Sequence, residues 1–188
     1  MLKHILTGGI GMENNKLSKA TFAGGCFWCM VDCFYLLEGV IEVKVGYAGG
    51  NTDNPSYEQV KTQLTGHYEV AQVIYDAELT KYEELLEMYW RQINPTDDEG
   101  QFQDKGDSYR TAIFYEDEKQ RNLAEVSKNE LEQSGKYTKA IVTKILPLTN
   151  FYLAEEYHQD FSTKNTQEYK EDRAKSGRDE FLKEIWKN

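Results

Sequence analysis

The stretch Ala20-Thr21-Phe22-Ala23-Gly24-Gly25-Cys26-Phe27-Trp28-Cys29-Met30-Val31-Asp32-Cys33 holds all 3 cysteines of the chain. A short apolar run, two glycines, a cysteine and then apolar residues at helical spacing read as strand, tight turn and helix start. Gly24 and Gly25 allow the sharp turn and leave the thiol approachable. This pattern predicts a helix from Cys26 to Glu38, stopped by Gly39. Unpaired N–H groups and the macrodipole at its N-terminus favour an anion, so Cys26 is expected to have a lowered pKa and to be a nucleophile.

Helix geometry ranks the thiols. Residues three apart have Cα atoms about 5 Å apart, inside the disulfide range of about 4.4–6.8 Å, so Cys26 and Cys29 can bond. Cys33 lies on the same face, roughly 10 Å from Cys26 at 1.5 Å per residue, out of reach. Cys26 is therefore the candidate nucleophile, Cys29 the candidate resolving partner and Cys33 a buried apolar thiol. A structural disulfide or half of a metal site is the alternative for the pair.

The chain has 188 residues, enough for one domain with a proper core. A net charge of −10 argues against nucleic-acid backbones and anionic membrane surfaces as partners. No apolar run approaches the roughly 18 residues of a transmembrane helix. The opening residues are too Gly-interrupted for a secretory leader, so a cytoplasmic protein is expected, with thiols reduced at rest and any disulfide a catalytic intermediate.

Residues 1–18 read as a flexible extension and 19–188 as a single catalytic domain. Strands are expected at Lys19–Ala23, Val40–Tyr47, Tyr68–Tyr75, Tyr109–Tyr115 and Ala140–Leu146. Helices are expected after Ser56 (a capping box with Gln59), over Lys81–Ile93 capped by Thr80, over Glu116–Ser134 and over Asp179–Trp186. Asn94–Ser108 reads as a long polar loop of the kind that is usually functional, and Phe151–Phe161 as a short helix or turn. Alternating strands and helices give an α/β (α+β) two-layer sandwich. The choice is a ferredoxin-like mixed sheet with flanking helices and additions, with a doubly wound parallel sheet second.

Several motifs then occur in order: Gly25-Cys26-Phe27-Trp28-Cys29; Gly46-Tyr47-Ala48-Gly49-Gly50 with Asn54-Pro55-Ser56-Tyr57; Gly66-His67-Tyr68-Glu69-Val70; Asn94-Pro95-Thr96 before Asp104-Lys105-Gly106-Asp107-Ser108-Tyr109; and Ala154-Glu155-Glu156-Tyr157-His158-Gln159. Together they resemble the peptide methionine sulfoxide reductases of the A type, across residues 19 to 186. The resemblance implies thiol-dependent reduction of methionine (S)-sulfoxide, free or in proteins, back to methionine. It implies attack by a Cys26 thiolate, a Cys26 sulfenic acid, then a disulfide that an external dithiol reduces.

It also implies the roles of other residues. Sulfoxide oxygen leaves poorly unless protonated, and Glu69 matches the family's acid, with a pKa expected to be raised by burial. Tyr57 and Tyr109 match the tyrosines that hydrogen-bond the sulfoxide oxygen or the acid; among 13 tyrosines nothing else singles them out. Asp104 matches a pocket aspartate. Phe27 and Trp28 are the candidate pocket wall for the substrate methyl, with Trp28 lining and Phe27 in the core. His67 is read as structural.

Many members have glycine at the Cys29 position and resolving cysteines in a C-terminal tail; Ser176–Phe181 here has none. Recycling then uses Cys29, or the reductant reaches the sulfenic acid directly. The implied partners are thioredoxin or a similar reductant and oxidised proteins, peptides or free methionine sulfoxide. No metal or prosthetic cofactor is expected, and a monomer is. The alternatives are a thioredoxin-like Cys-x-x-Cys oxidoreductase, and a zinc or redox-sensing module of the three cysteines with His67 or His158.

Overall fold

The computed structural model describes residues 17–187. The expected extension therefore lies outside the described residues, except Leu17 and Ser18, which open the first strand. The strands are β1 (Leu17–Gly24), β2 (Val40–Ala48), β3 (Tyr68–Asp76), β4 (Gly100–Gln101), β5 (Asp104–Lys105), β6 (Thr111–Tyr115), β7 (Lys144–Pro147) and β8 (Phe151–Leu153). The helices are α1 (Tyr57–Lys61), α2 (Tyr82–Trp90), α3 (Glu118–Gln133), α4 (Phe161–Lys164), α5 (Thr166–Ser176) and α6 (Arg178–Ile185).

Six strands form a mixed sheet in the order β7-β6-β1-β3-β2-β8. The central four, β6-β1-β3-β2, pair antiparallel throughout, in the order a ferredoxin-like βαββαβ unit requires. Two edges are additions: β7 joins β6 in parallel and β8 joins β2 antiparallel. The doubly wound alternative is ruled out by these antiparallel central pairs.

Alternate residues of the inner strands feed two cores. One face carries Phe22, Ala71, Val73 and Ile113 beneath α2 and α3, where the Phe22 ring stacks on Phe34 and Tyr89. The other carries Ala23, Val70, Ala112 and Phe114. β3 is flanked on both sides, and none of its residues is exposed.

The first crossover departs from expectation. In place of one helix over Cys26–Glu38 there are two short 3₁₀ turns, Phe27–Met30 and Phe34–Leu36. Cysteine and aromatic residues are poor helix formers, and tertiary contacts pull them in different directions. Phe34 stacks in the main core, Phe27 lies against Tyr47, and Trp28 stacks on Phe161.

Other boundaries moved for similar reasons. Ser56 and Gln59 do form a capping box on α1. Thr80 does not cap α2, which Lys81 precedes; its hydroxyl instead accepts from the Gly39 N–H at 3.0 Å. The long loop contains the ribbon β4/β5, pinned by fully buried Gln101, whose amide bonds both N–H and C=O of Asn94. Phe151–Phe161 holds the edge strand β8 and a 3₁₀ turn over Glu156–His158. Helix α5 was not expected. Among the described residues no helix is long and apolar enough to cross a membrane.

Candidate active site

The site lies where β1 ends and β3 begins. The β1/β3 register pairs Phe22 with Ala71, so two residues further along, Gly24 comes opposite Glu69. Gly25 then turns the chain with φ +84°, a conformation glycine adopts freely. A Cβ there would also stand 2.5 Å from Gln101 Cβ.

The turn is 3₁₀, with the Cys29 N–H donating to Cys26 C=O at 3.1 Å. In a 3₁₀ helix side chains at i and i+3 eclipse, and the thiols of Cys26 and Cys29 share a hydrogen bond. Both are free and buried. Cys33 has left that face; its thiol donates to the Met30 carbonyl at 3.3 Å, and burial pushes its pKa up to about 12.

The expected lowering of the Cys26 pKa is overturned. Its thiol is raised, first by the hydrogen bond with Cys29, then by burial and by the carboxyls of Glu69 and Asp104. A four-residue 3₁₀ turn has too little dipole to offset this. Cys29 is the lowered thiol, at about 7. The bond from Cys26 favours its charged form against burial, and the guanidiniums of Arg178 and Arg173 add to it.

Glu69 projects from the middle of the sheet and is 2% exposed. Its Oε2 accepts from the Phe27 N–H at 3.1 Å, which ties the acid to the cysteine turn. Burial raises its pKa to about 8, with the Phe27 N–H opposing and Asp104 adding. Near neutral pH it therefore holds a proton. Tyr109 is within hydrogen-bonding reach of Glu69 and of Tyr57, whose pKa burial raises to about 12. Tyr109 sits in the turn Asp107–Tyr109 that precedes β6, not inside the strand. Asp104 lies half-buried on β5 and is raised by burial and by Asp172, with Arg178 opposing.

The structure thus brings Cys26, Cys29, Glu69, Tyr57, Tyr109 and Asp104 together. Phe27 is core, with its ring against His158 and Tyr47. Trp28 is only partly buried, and its face is covered by Phe161, with ring centroids 3.6 Å apart at 6°. His67 stands apart, its Nδ1 accepting from the Gly50 N–H and its Nε2 bonding Thr52 C=O at 2.7 Å. Among the described residues no group of three or more His, Cys, Asp or Glu side chains is placed to hold a metal.

Sequence reasoning gave several residues that build the site no role in the reductase reading, and His158 one only as an alternative zinc ligand. Glu155 accepts from the Tyr57 N–H and the Tyr47 hydroxyl, both at 2.8 Å, and so sets the first turn of α1. His158, 1% exposed, packs its ring between Phe27, Trp28 and Tyr57. Gln159 bonds both N–H and C=O of Val45, acting as a strand partner beyond β8. Their signal was present in the Ala154–Gln159 motif. Arg173 and Arg178 belong to no motif.

A family model described as "Peptide methionine sulfoxide reductase" matches residues 18–188. The chain belongs to this family. A relative from Halalkalibacterium halodurans, named peptide methionine sulfoxide reductase MsrA, is 60% identical over 91% of this chain and 97% of its own. Reduced Mxr1 from Saccharomyces cerevisiae superposes with a TM-score of 0.77 at 35% identity, covering 82% of this chain and 89% of that one. The same yeast protein in complex with Trx2 gives 0.56 at 26%, covering 78% and 86%.

Proposed function

We propose that this protein reduces methionine (S)-sulfoxide, free or in proteins, to methionine, with Cys26 as nucleophile, Glu69 as acid, Cys29 as resolving thiol and thioredoxin as reductant. The observation that carries this reading is a carboxyl kept protonated near neutral pH and tied to the backbone of the cysteine turn.

The chemistry runs from that carboxyl. Neutral Glu69, with Tyr57 and Tyr109, hydrogen-bonds the sulfoxide oxygen and lets it leave sulfur as hydroxyl. A shift of the proton shared by the thiols moves the charge from Cys29 to Cys26. Cys26 sulfur attacks the sulfoxide sulfur as the hydroxyl leaves, giving an S–S-bonded sulfonium; hydroxide or water then attacks the Cys26 sulfur, the S–S bond breaks, methionine departs, and a Cys26 sulfenic acid remains. Condensation with Cys29 expels water and forms the disulfide. A dithiol then reduces it by exchange; the yeast relative's complex with Trx2 supports thioredoxin in that step. Trp28 receives the substrate methyl, a sulfur–aromatic contact of about 0.3–1.5 kcal/mol, and Asp104 borders the pocket. All electrons pass through sulfur, so no prosthetic group is needed. We take residues 19–188 as the catalytic domain and the cytoplasm as its location, where thioredoxin keeps thiols reduced.

The test supplies separate S- and R-epimers of methionine sulfoxide with a chemical dithiol. Wild type is expected to consume only the S-epimer. Cys26→Ser is expected to consume neither, and Glu69→Gln to be strongly depressed. Cys29→Ser is expected to release one methionine and then stall when thioredoxin is the reductant. Folded wild-type protein that consumes neither epimer overturns the reading.

A further inference from the structure

Arg178 is 1% exposed, an extreme burial for a charged side chain. Among the described residues it pairs with no carboxylate. Its Nη1 donates to Gln92 C=O at 2.6 Å, its Nη2 to Gly24 C=O at 3.2 Å, and its plane lies over the Phe102 ring at 4.6 Å. The buried Nε has no partner. Arg173, one helix earlier, donates from Nη1 to Cys29 C=O at 3.1 Å and from Nη2 to Gln92 Oε1 at 3.3 Å. Unlike Arg178 it is neutralised, by Asp179 at 2.7 Å. The two arginines thus grip the carbonyls at either end of Gly24–Cys29 and meet at Gln92. Carbonyl dipoles do not cancel a full charge; the half-buried carboxyl of Asp104 faces Arg178 without forming an ion pair with it, and a buried cation so weakly compensated is costly. The site therefore favours an anion.

We infer that Arg178, with Arg173, is a positioning pair for disulfide formation: from α6 and α5 the arginines clamp the cysteine turn and hold Cys29 as the thiolate that attacks the Cys26 sulfenic acid. The inference rests on Cys29 being the resolving thiol. In this step the Cys29 sulfur attacks the Cys26 sulfur, the S–S bond forms and the S–O bond breaks. Hydroxide leaves and takes up a proton, matching the one Cys29 gave up, so water is the only product released. Cys29 is oxidised, Cys26 is reduced, and no further oxidant enters. The other titratable groups facing the pair are Glu69, Asp104, Tyr169 and Asp172. Of these, Asp172 opposes the arginines at Cys29.

The test is single-turnover reduction of methionine sulfoxide without reductant, following methionine release, dimedone-trapped sulfenic acid and disulfide by mass. Wild type, Arg178→Met, Arg178→Lys, Arg173→Gln and Cys29→Ser are compared across pH, with folding checked by circular dichroism. Arg178→Met removes a cation that favours the Cys29 thiolate while leaving the thiol buried, so the Cys29 pKa should rise and disulfide formation at neutral pH is expected to slow about 10-fold. The deficit should close to within about 2-fold two pH units higher, where either thiol is ionised. Arg178→Lys is expected to recover most of the rate. Arg173→Gln, at the rim, is expected to slow disulfide formation less, and it keeps the inference testable if Arg178→Met does not fold. Folded arginine variants that resolve at the wild-type rate, with an unshifted pH profile, overturn the arginine assignment alone. A Cys29→Ser protein that recycles with thioredoxin as wild type does overturns the resolving role itself, whatever the arginine variants do.

Discussion

The two halves of the active site are built on different principles. Glu69 and the chain leading into Cys26 hang from the centre of the sheet, where β3 is paired on both sides and buried on both faces. The opposite wall is made of α4, α5 and α6. Phe161 covers Trp28, Tyr169 is the only buried side chain of α5, and Arg178 and Leu182 are those of α6. This wall is held by arginines reaching backbone carbonyls. A ladder fixes Glu69 beside the cysteine turn before substrate arrives, which suits electrostatic preorganisation in the proposed reaction. A wall fastened by a few polar contacts opens at lower cost, and in the proposed role of Trp28 such opening uncovers its face for a protein-bound sulfoxide.

The largest effect separating the halves belongs to Glu69. Replacement by Gln keeps the shape and removes the proton donor, so kcat/KM for the S-epimer should fall by about 10²–10⁴-fold. Because the proposed working forms are a thiolate and a protonated acid, with pKa values of about 7 for Cys29 and about 8 for Glu69, the wild-type sulfoxide step should rise with thiol ionisation and then fall along an alkaline limb above about pH 8. Glu69→Gln should lose that limb; a variant that keeps it assigns the titration to another group. Linkage gives a second sign. The folded pKa lies above the ordinary carboxyl value of 4.5, so folding takes up a proton. Stability should decline as pH rises from about 4.5 to 8, and Glu69→Gln should flatten that slope in urea titrations.

Next is the difference in opening. Amide exchange in α5 and α6 should be at least about 10-fold faster than in β1 and β3. Equal protection would erase the contrast and make the C-terminal helices part of the sheet's cooperative unit. Gln159 tests the seam between the halves. Its amide bonds Val45 N–H and C=O and Ala154 C=O, so Gln159→Ala should cost about 1–3 kcal/mol, read from thermal or urea melts. A neutral result would mean water replaces the lost partners. The smallest effect is expected at Cys33, which makes one weak thiol bond inside the core. Cys33→Ala should cost about 1 kcal/mol and leave thioredoxin-dependent turnover intact; loss of turnover would make Cys33 a participant in recycling.

The sequence by itself determined the alternation of elements, the ferredoxin-like core and, through its motifs, the residues that gather at the site. Those signals are local: an apolar run for β1, a period-two run for β2, the capping box at Ser56, glycines around the cysteine turn. What it misjudged depended on partners remote in the chain. The apolar spacing after Cys26 fits a helix. It becomes 3₁₀ turns because Phe27, Trp28 and Phe34 each pack on a different surface, and because the Phe27 N–H goes to Glu69, 42 residues away. That change brings the two thiols into contact and turns Cys33 away from them. Which thiol holds the proton was decided only by the tertiary structure. Helix-end reasoning pointed to a charged Cys26, but burial and carboxyls surround that sulfur while two arginines from the far end of the chain stand near Cys29. Electrostatics follows distance in space, and only folding brings residues 173 and 178 to residue 29.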